Sequence, residues 1–271
     1  MKSIISMAAL AVAATLFMSC SNDDNNTIIE GTTGDAQIYF DNGVAGDALI
    51  LGNSYTNSND EVITINRLNY IISNIKLIKE DGSSYVYPKE ESYFIISEEA
   101  GMKTISLENI PAGDYIKITF GIGVDQQRYL QGETAQQSFW DLAAQHDLTW
   151  TWSTGYRFIN FEGEFASPAI EGVLPFQVHQ GSNSSTDNYR EVTLDLPTTA
   201  RVREGEVPNI HIKTNVNVIL DGANKIILAD NLNGAGNAAS VMGGENLIMI
   251  AENTLQMFIV DHVHNDGGHH E

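Results

Sequence analysis

Asn69-Tyr70-Ile71-Ile72-Ser73-Asn74-Ile75-Lys76-Leu77-Ile78-Lys79-Glu80 is followed by Asp81-Gly82 and, on the far side, Tyr85-Val86-Tyr87. β-Branched and aromatic side chains fit the pleated surface of a sheet, so the long run reads as a strand. Asp-Gly tolerates the positive φ of a tight turn, which makes the whole stretch a hairpin. Upstream, Gln37-Ile38-Tyr39-Phe40 and Glu61-Val62-Ile63-Thr64-Ile65 have the same texture. Downstream, Ser92 to Ser97 and Lys103 to Leu107 give two short strands. Ile110-Pro111-Ala112-Gly113-Asp114 then turns the chain into Tyr115-Ile116-Lys117-Ile118-Thr119-Phe120. There Tyr115, Lys117 and Thr119 alternate with apolar neighbours, the pattern of a sheet with one wet and one buried face.

The remaining segments continue this pattern. Gly121-Ile122-Gly123 lacks the third glycine and the helix of a dinucleotide loop, and is better explained as a bulge or a close approach. Thr134 to Gln145 reads as a helix with Thr134 as N-cap, and Glu245 to Phe258 as a second helix. Val173 to Ser182, Tyr189 to Leu196 and Asn209-Ile210-His211-Ile212-Lys213 read as strands, the last continuing toward Leu220 and a turn at Asp221-Gly222. Many short strands, frequent turn pairs and few helical runs predict an all-β fold, an antiparallel β-sandwich with one or two short helical insertions.

The first nineteen residues stand apart. Lys2 and the apolar Ile4 to Phe17 make a signal peptide, and Leu16-Phe17-Met18-Ser19-Cys20 looks like a bacterial lipobox. Cys20 is then the expected lipidation site and mature N-terminus, anchoring the protein to the cell envelope as an outer-membrane lipoprotein. Residues 20–35 form a polar tether, and Asp23-Asp24 resembles the export tag of some Gram-negative surface lipoproteins. A β-sandwich domain over 36–260 and a His-rich C-terminal tail over 261–271 complete the expected organisation.

Cys20 is the only cysteine among the 271 residues, so disulfides and thiolate metal sites are excluded from the folded domain. The balance of 14 basic and 35 acidic residues gives a net charge of −21, which repels nucleic acid and anionic lipid. No catalytic constellation is evident. The Gly-x-Ser-x-Gly elbow is absent, and Asp125, Glu162 and Glu164 are what chance supplies in so acidic a chain, so no enzyme is expected.

Binding chemistry concentrates in two places. Within Leu148-Thr149-Trp150-Thr151-Trp152-Ser153-Thr154-Gly155-Tyr156-Arg157-Phe158-Ile159-Asn160-Phe161-Glu162-Gly163, strand alternation places Trp150 and Trp152 on one face. Such a pair is either core or the wall of a ligand site. At the C-terminus, His262 and His264 share one face of an extended segment, and His269-His270 follow two glycines. These four imidazoles can converge on a cation without a preformed pocket. His211 reads as an exposed strand residue and His146 as a helix-end residue beside the terminal carbonyls.

Five motifs occur in order: Asn69 to Leu77, Ile110 to Tyr115, Phe120-Gly121-Ile122-Gly123-Val124-Asp125, Trp150 to Tyr156 with Glu162-Gly163, and Phe176-Gln177-Val178-His179-Gln180-Gly181. Together they resemble the MbnP-like copper-binding protein family over most of the mature chain. The resemblance implies an exported β-sandwich that binds copper, in copper acquisition or storage. It also implies, for some members, a di-haem partner, MbnH, that oxidises a tryptophan to kynurenine. By the same resemblance His179 is the first metal candidate, with Trp150 and Trp152 as its tryptophan pair. Leu148 stands where many members carry methionine, and Tyr39-Phe40-Asp41 lacks the histidine that some relatives offer. The competing expectation is a surface lipoprotein that binds a glycan or a protein without metal.

Overall fold

The long apolar run becomes an 18-residue strand, Val62–Lys79, and the rest of the larger sheet is assembled on it. The computed structural model describes residues 27–150 and 154–265. In chain order the first half contains β1 (Thr33–Val44), β2 (Asp47–Ala48), β3 (Ser54–Thr56), β4 (Val62–Lys79), β5 (Ser84–Val86), β6 (Tyr93–Ser97), β7 (Thr104–Pro111), β8 (Gly113–Ile122), α1 (Gln126–Tyr129) and α2 (Gln137–Gln145). The second half contains β9 (Ile159–Ala166), β10 (Leu174–Gln180), β11 (Arg190–Val202), β12 (Asn209–Asn215), α3 (Val218–Asp221), β13 (Ala239–Val241), α4 (Glu245–Thr254) and β14 (Phe258–His264).

Two sheets result. The larger runs β11-β8-β4-β9-β10-β13, with β3, β5 and β6 also paired to β4, and the smaller runs β14-β12-β1-β2, with β7 on β1. The Asp81-Gly82 hairpin is present as the β4–β5 pair. Two stretches that read as separate strands, 61–65 and 69–80, are one element, bent by register shifts at Ile65/Arg67 and Ser73/Lys76. At the second shift Asn74 adopts φ 53°, a left-handed conformation that asparagine tolerates better than most side chains. The sandwich is mainly antiparallel, but β1 pairs with β12 and β10 with β13 in parallel, so both sheets are mixed.

The sheets pack through aromatic edges. Phe40 of β1 and Phe258 of β14 meet Phe120 of β8 and Tyr70 of β4, with ring centroids 5.2 to 6.2 Å apart. Edge-to-face contacts of this kind add to the area term of burial. Gly121 lies against the Tyr189 ring, and Gly123, at φ 96°, lies beneath Phe158, so both glycines permit close approach. The helix expected from Thr134 begins at Gln137, after a 3-10 turn over Glu133–Gln136. Gln136 donates its side-chain amide to the Arg128 carbonyl at 3.1 Å, and Gln136, not Thr134, stands at the N-cap position of α2. The second expected helix is α4, ending at Thr254 rather than Phe258.

Two further expectations change. Within the tryptophan stretch the described residues on either side of 151–153 pair with each other ahead of β9 rather than forming one regular strand, through the Thr149–Tyr156 bridge, Trp150 N–H to the Gly155 carbonyl at 3.0 Å and Arg157 N–H to the Leu148 carbonyl at 3.0 Å. The boundary expected at 260/261 falls inside β14, which carries His262 and His264 into the smaller sheet instead of a tail. No helix among the described residues is long and apolar enough to cross a membrane.

Candidate metal centre

The residues singled out in the sequence fall into two groups. The first gathers around His179. Cross-strand pairing sets Asn69 of β4 beside Asn160 of β9, and Asn160 beside His179 of β10, so the three side chains share one face. Asn69 and Asn160 donate their amides to the carbonyls of His146 and Asp147, both at 2.8 Å, which ties the loop after α2 over that face. His179 beneath it is 3% exposed. Its Nε2 lies 2.5 Å from Glu162 Oε1, while Nδ1 has no hydrogen-bond partner among the described residues. Trp150, 8% exposed, packs edge-on with its ring centroid 6.0 Å from the imidazole. The Arg157 guanidinium lies 5.0 Å from the centroid of the Trp150 ring, a cation–π arrangement.

Electrostatics make this group an ion-pair hub. The hydrogen bond from His179 holds the Glu162 carboxyl below the usual range against the opposing pull of burial, and Arg67 and Arg157 reinforce it. Burial lowers the Arg157 guanidinium in turn. Arg67 reaches Glu99 and Asp147 at 3.0 Å and Glu162 at 3.7 Å. The group brings Trp150 and His179 together and, among the described residues, offers an ion one imidazole and one carboxylate. Trp152 lies outside the described residues, as do Cys20, His269 and His270.

The second group lies on the smaller sheet. His211 of β12 stands opposite Tyr39 of β1 on one side and His262 of β14 on the other. The His211 and His262 rings stack at 4.3 Å, and His264 meets them edge-on at 5.5 and 4.5 Å. One ligating atom from each of the three lies within 4.8 Å of the others, and all three residues are half-buried. A register shift between His211 and Ile212 makes Asp261 an extra residue in β14. A β-bulge re-aims side chains locally, and here it leaves Asp261 and His262 adjacent. Asp261 Oδ2 accepts from His262 Nδ1 at 2.8 Å, and Asp261 Oδ1 accepts from Lys213 Nζ at 2.8 Å.

Strand parity separates the groups. Ile212 and Phe258 point into the core, so His211 and its partners occupy the outer face of the smaller sheet. Tyr70 points into the core from the other side, so Asn69, and with it His179, occupies the outer face of the larger sheet. One ion therefore cannot take ligands from both. Three imidazoles suit copper without thiolate, and among the described residues they form the one cluster of three such donors.

His211 was the member that sequence reading passed over. It sits at an outward position of an alternating strand, as His262 and His264 do, but the pairing of β12 with β14 is a long-range choice with no local signal.

The family model described as MbnP matches residues 33–242. The chain belongs to the MbnP family. Among solved structures, MbnP from Methylosinus trichosporium is similar at 13% identity, covering 78% of this chain and 94% of that one, with a TM-score of 0.44. Comparison with curated proteins gives no match. His179, Trp150 and His211 lie inside the span matched to the MbnP family, whereas His262 and His264 lie beyond its end at residue 242.

Proposed function

We propose that this MbnP-family chain is a lipid-anchored copper-binding protein of the cell envelope, held through Cys20, and that His211, His262 and His264 carry the ion. The observation behind this reading is the convergence of three ligating atoms within 4.8 Å on adjacent strands. Neutral imidazoles serve both cuprous and cupric copper, and a net charge of −21 favours the approach of cations. Acquisition or storage fits a half-buried site from which cargo can leave, and a di-haem partner of the MbnH kind belongs to the same reading. The chain performs no catalysis in this proposal. The constellation around His179 holds the large sheet to its covering loop.

Titrating the metal-free full chain with copper is expected to load about one ion per chain, since a site built from folded strands takes a fixed complement. His262→Ala abolishes that uptake and His179→Ala retains it. Uptake that survives loss of His262 but disappears with His179 refutes the placement. If the wild-type chain takes up no copper and captures a glycan or a protein ligand equally well after chelator treatment, the function itself is refuted.

A further inference from the structure

We infer that Asp261 is a positioning residue for the ion site: it fixes the tautomer and the ring orientation of His262 so that Nε2 faces the ion. The inference rests on the reading of His211, His262 and His264 as ligands. Neighbouring residues of a regular strand point to opposite faces, so a carboxylate directly preceding an outward imidazole would ordinarily be out of its reach. The extra residue in β14 removes that obstacle and sets Asp261 Oδ2 2.8 Å from His262 Nδ1. An ionised carboxylate only accepts hydrogen bonds, so the proton resides on Nδ1 and the lone pair on Nε2.

The carboxylate is itself held. Lys213, next but one to His211 along β12, donates to Asp261 Oδ1 at 2.8 Å, so each carboxylate oxygen has one partner. The chain of contacts is thus lysine, carboxylate, imidazole, ion. Outer partners of this kind orient ligating histidines and raise their basicity, and removing them typically weakens metal binding about 10- to 100-fold. On the other flank Tyr39 packs against His211 at 5.1 Å, limiting the rotation of the second ring. Asp261 touches no other described residue through its carboxylate oxygens among the hydrogen bonds and ion pairs of the structure. Its substitution therefore acts on His262 and Lys213.

The test uses the full chain carrying Asp261→Asn, Asp261→Glu or His262→Ala. Proton–nitrogen correlation spectra of the isotope-labelled, metal-free protein at mildly alkaline pH report the imidazole tautomer directly, and a copper titration with a competing chelator reports affinity. The expected result is that Asp261→Asn shifts His262 away from the Nδ1–H tautomer and weakens copper binding about 10- to 100-fold. The number of ions bound and the melting temperature stay as in the wild type, and Asp261→Glu recovers part of the affinity. An unchanged tautomer, or an unchanged affinity, in Asp261→Asn overturns the inference. If His262→Ala binds copper as well as the wild type, the ligand assignment fails instead, so the two failures are distinguishable.

Discussion

Replacing Glu162 with alanine should destabilise the fold through His179. The imidazole is 3% exposed and its Nδ1 already has no partner among the described residues, so losing the 2.5 Å contact to Glu162 leaves the buried ring with no hydrogen bond there. A buried hydrogen bond to a charged group is worth about 1.5–3 kcal/mol. The Glu162 carboxylate also faces Arg67 at 3.7 Å, so the upper end applies, about 3 kcal/mol. In a domain of this size that is a fall in Tm of about 6–12 °C. Denaturant unfolding of the wild type, Glu162→Ala, His179→Ala and the double variant closes a thermodynamic cycle, with an expected coupling of about 2 kcal/mol. The pH dependence has a defined sign. Because the folded carboxyl titrates below its unfolded value, the stabilisation is complete above about pH 4.3 and is lost as the pH falls through the folded value. The gap between wild type and Glu162→Ala is therefore full at neutral pH and narrows in acid. Single-variant costs that add within about 0.5 kcal/mol, or a gap that widens in acid, refute the reasoning.

Gly163→Ala places a Cβ onto the Thr64 carbonyl between β4 and β9, and is expected to cost about 3 kcal/mol or more because backbone cannot yield as a side chain does; chemical denaturation measures this, and wild-type stability refutes it. Asp221, its carboxyl lowered to about 2, accepts from the Ser58 backbone and hydroxyl at 2.8 and 2.6 Å and pairs with Lys225. Its contribution is present above the unfolded carboxylate value and lost as the pH falls through about 2, so Asp221→Ala and wild type should differ in Tm at pH 7 and converge near pH 2. Copper at about 100 times its Kd should stabilise the wild type by about 2.7 kcal/mol, a rise in Tm of about 5–11 °C. His264→Ala should show no such rise in a thermal melt, and an equal rise in that variant counts against the site.

The β texture was legible because it is local. The Asp81-Gly82 hairpin, the alternation through Tyr115–Phe120 and the close-approach role of Gly121 and Gly123 depend on residues near in sequence, and all appear in the structure. The parallel pairing of β1 with β12 joins residues about 170 apart and leaves no local trace. Thr134 falls inside a 3-10 turn ahead of the helix rather than at its N-cap, and the turn after α2 is held by Asn69 and Asn160, which reach the His146 and Asp147 carbonyls from strands distant in sequence. The site was half legible for the same reason. The outward alternation of His262 and His264 was visible, and so was the resemblance that brought His179 and Trp150 together. His211 looked ordinary because only the pairing of β12 with β14, and the bulge at Asp261, give it company.

The smaller sheet is edged by β14, the last strand among the described residues, paired to β12, which in turn lies beside β1. Cutting the chain before residue 258 removes β14, and with it two of the three imidazoles, His262 and His264. Under the proposed function, a copy cut before β14 keeps His211 alone of the three imidazoles and loses its hold on the ion.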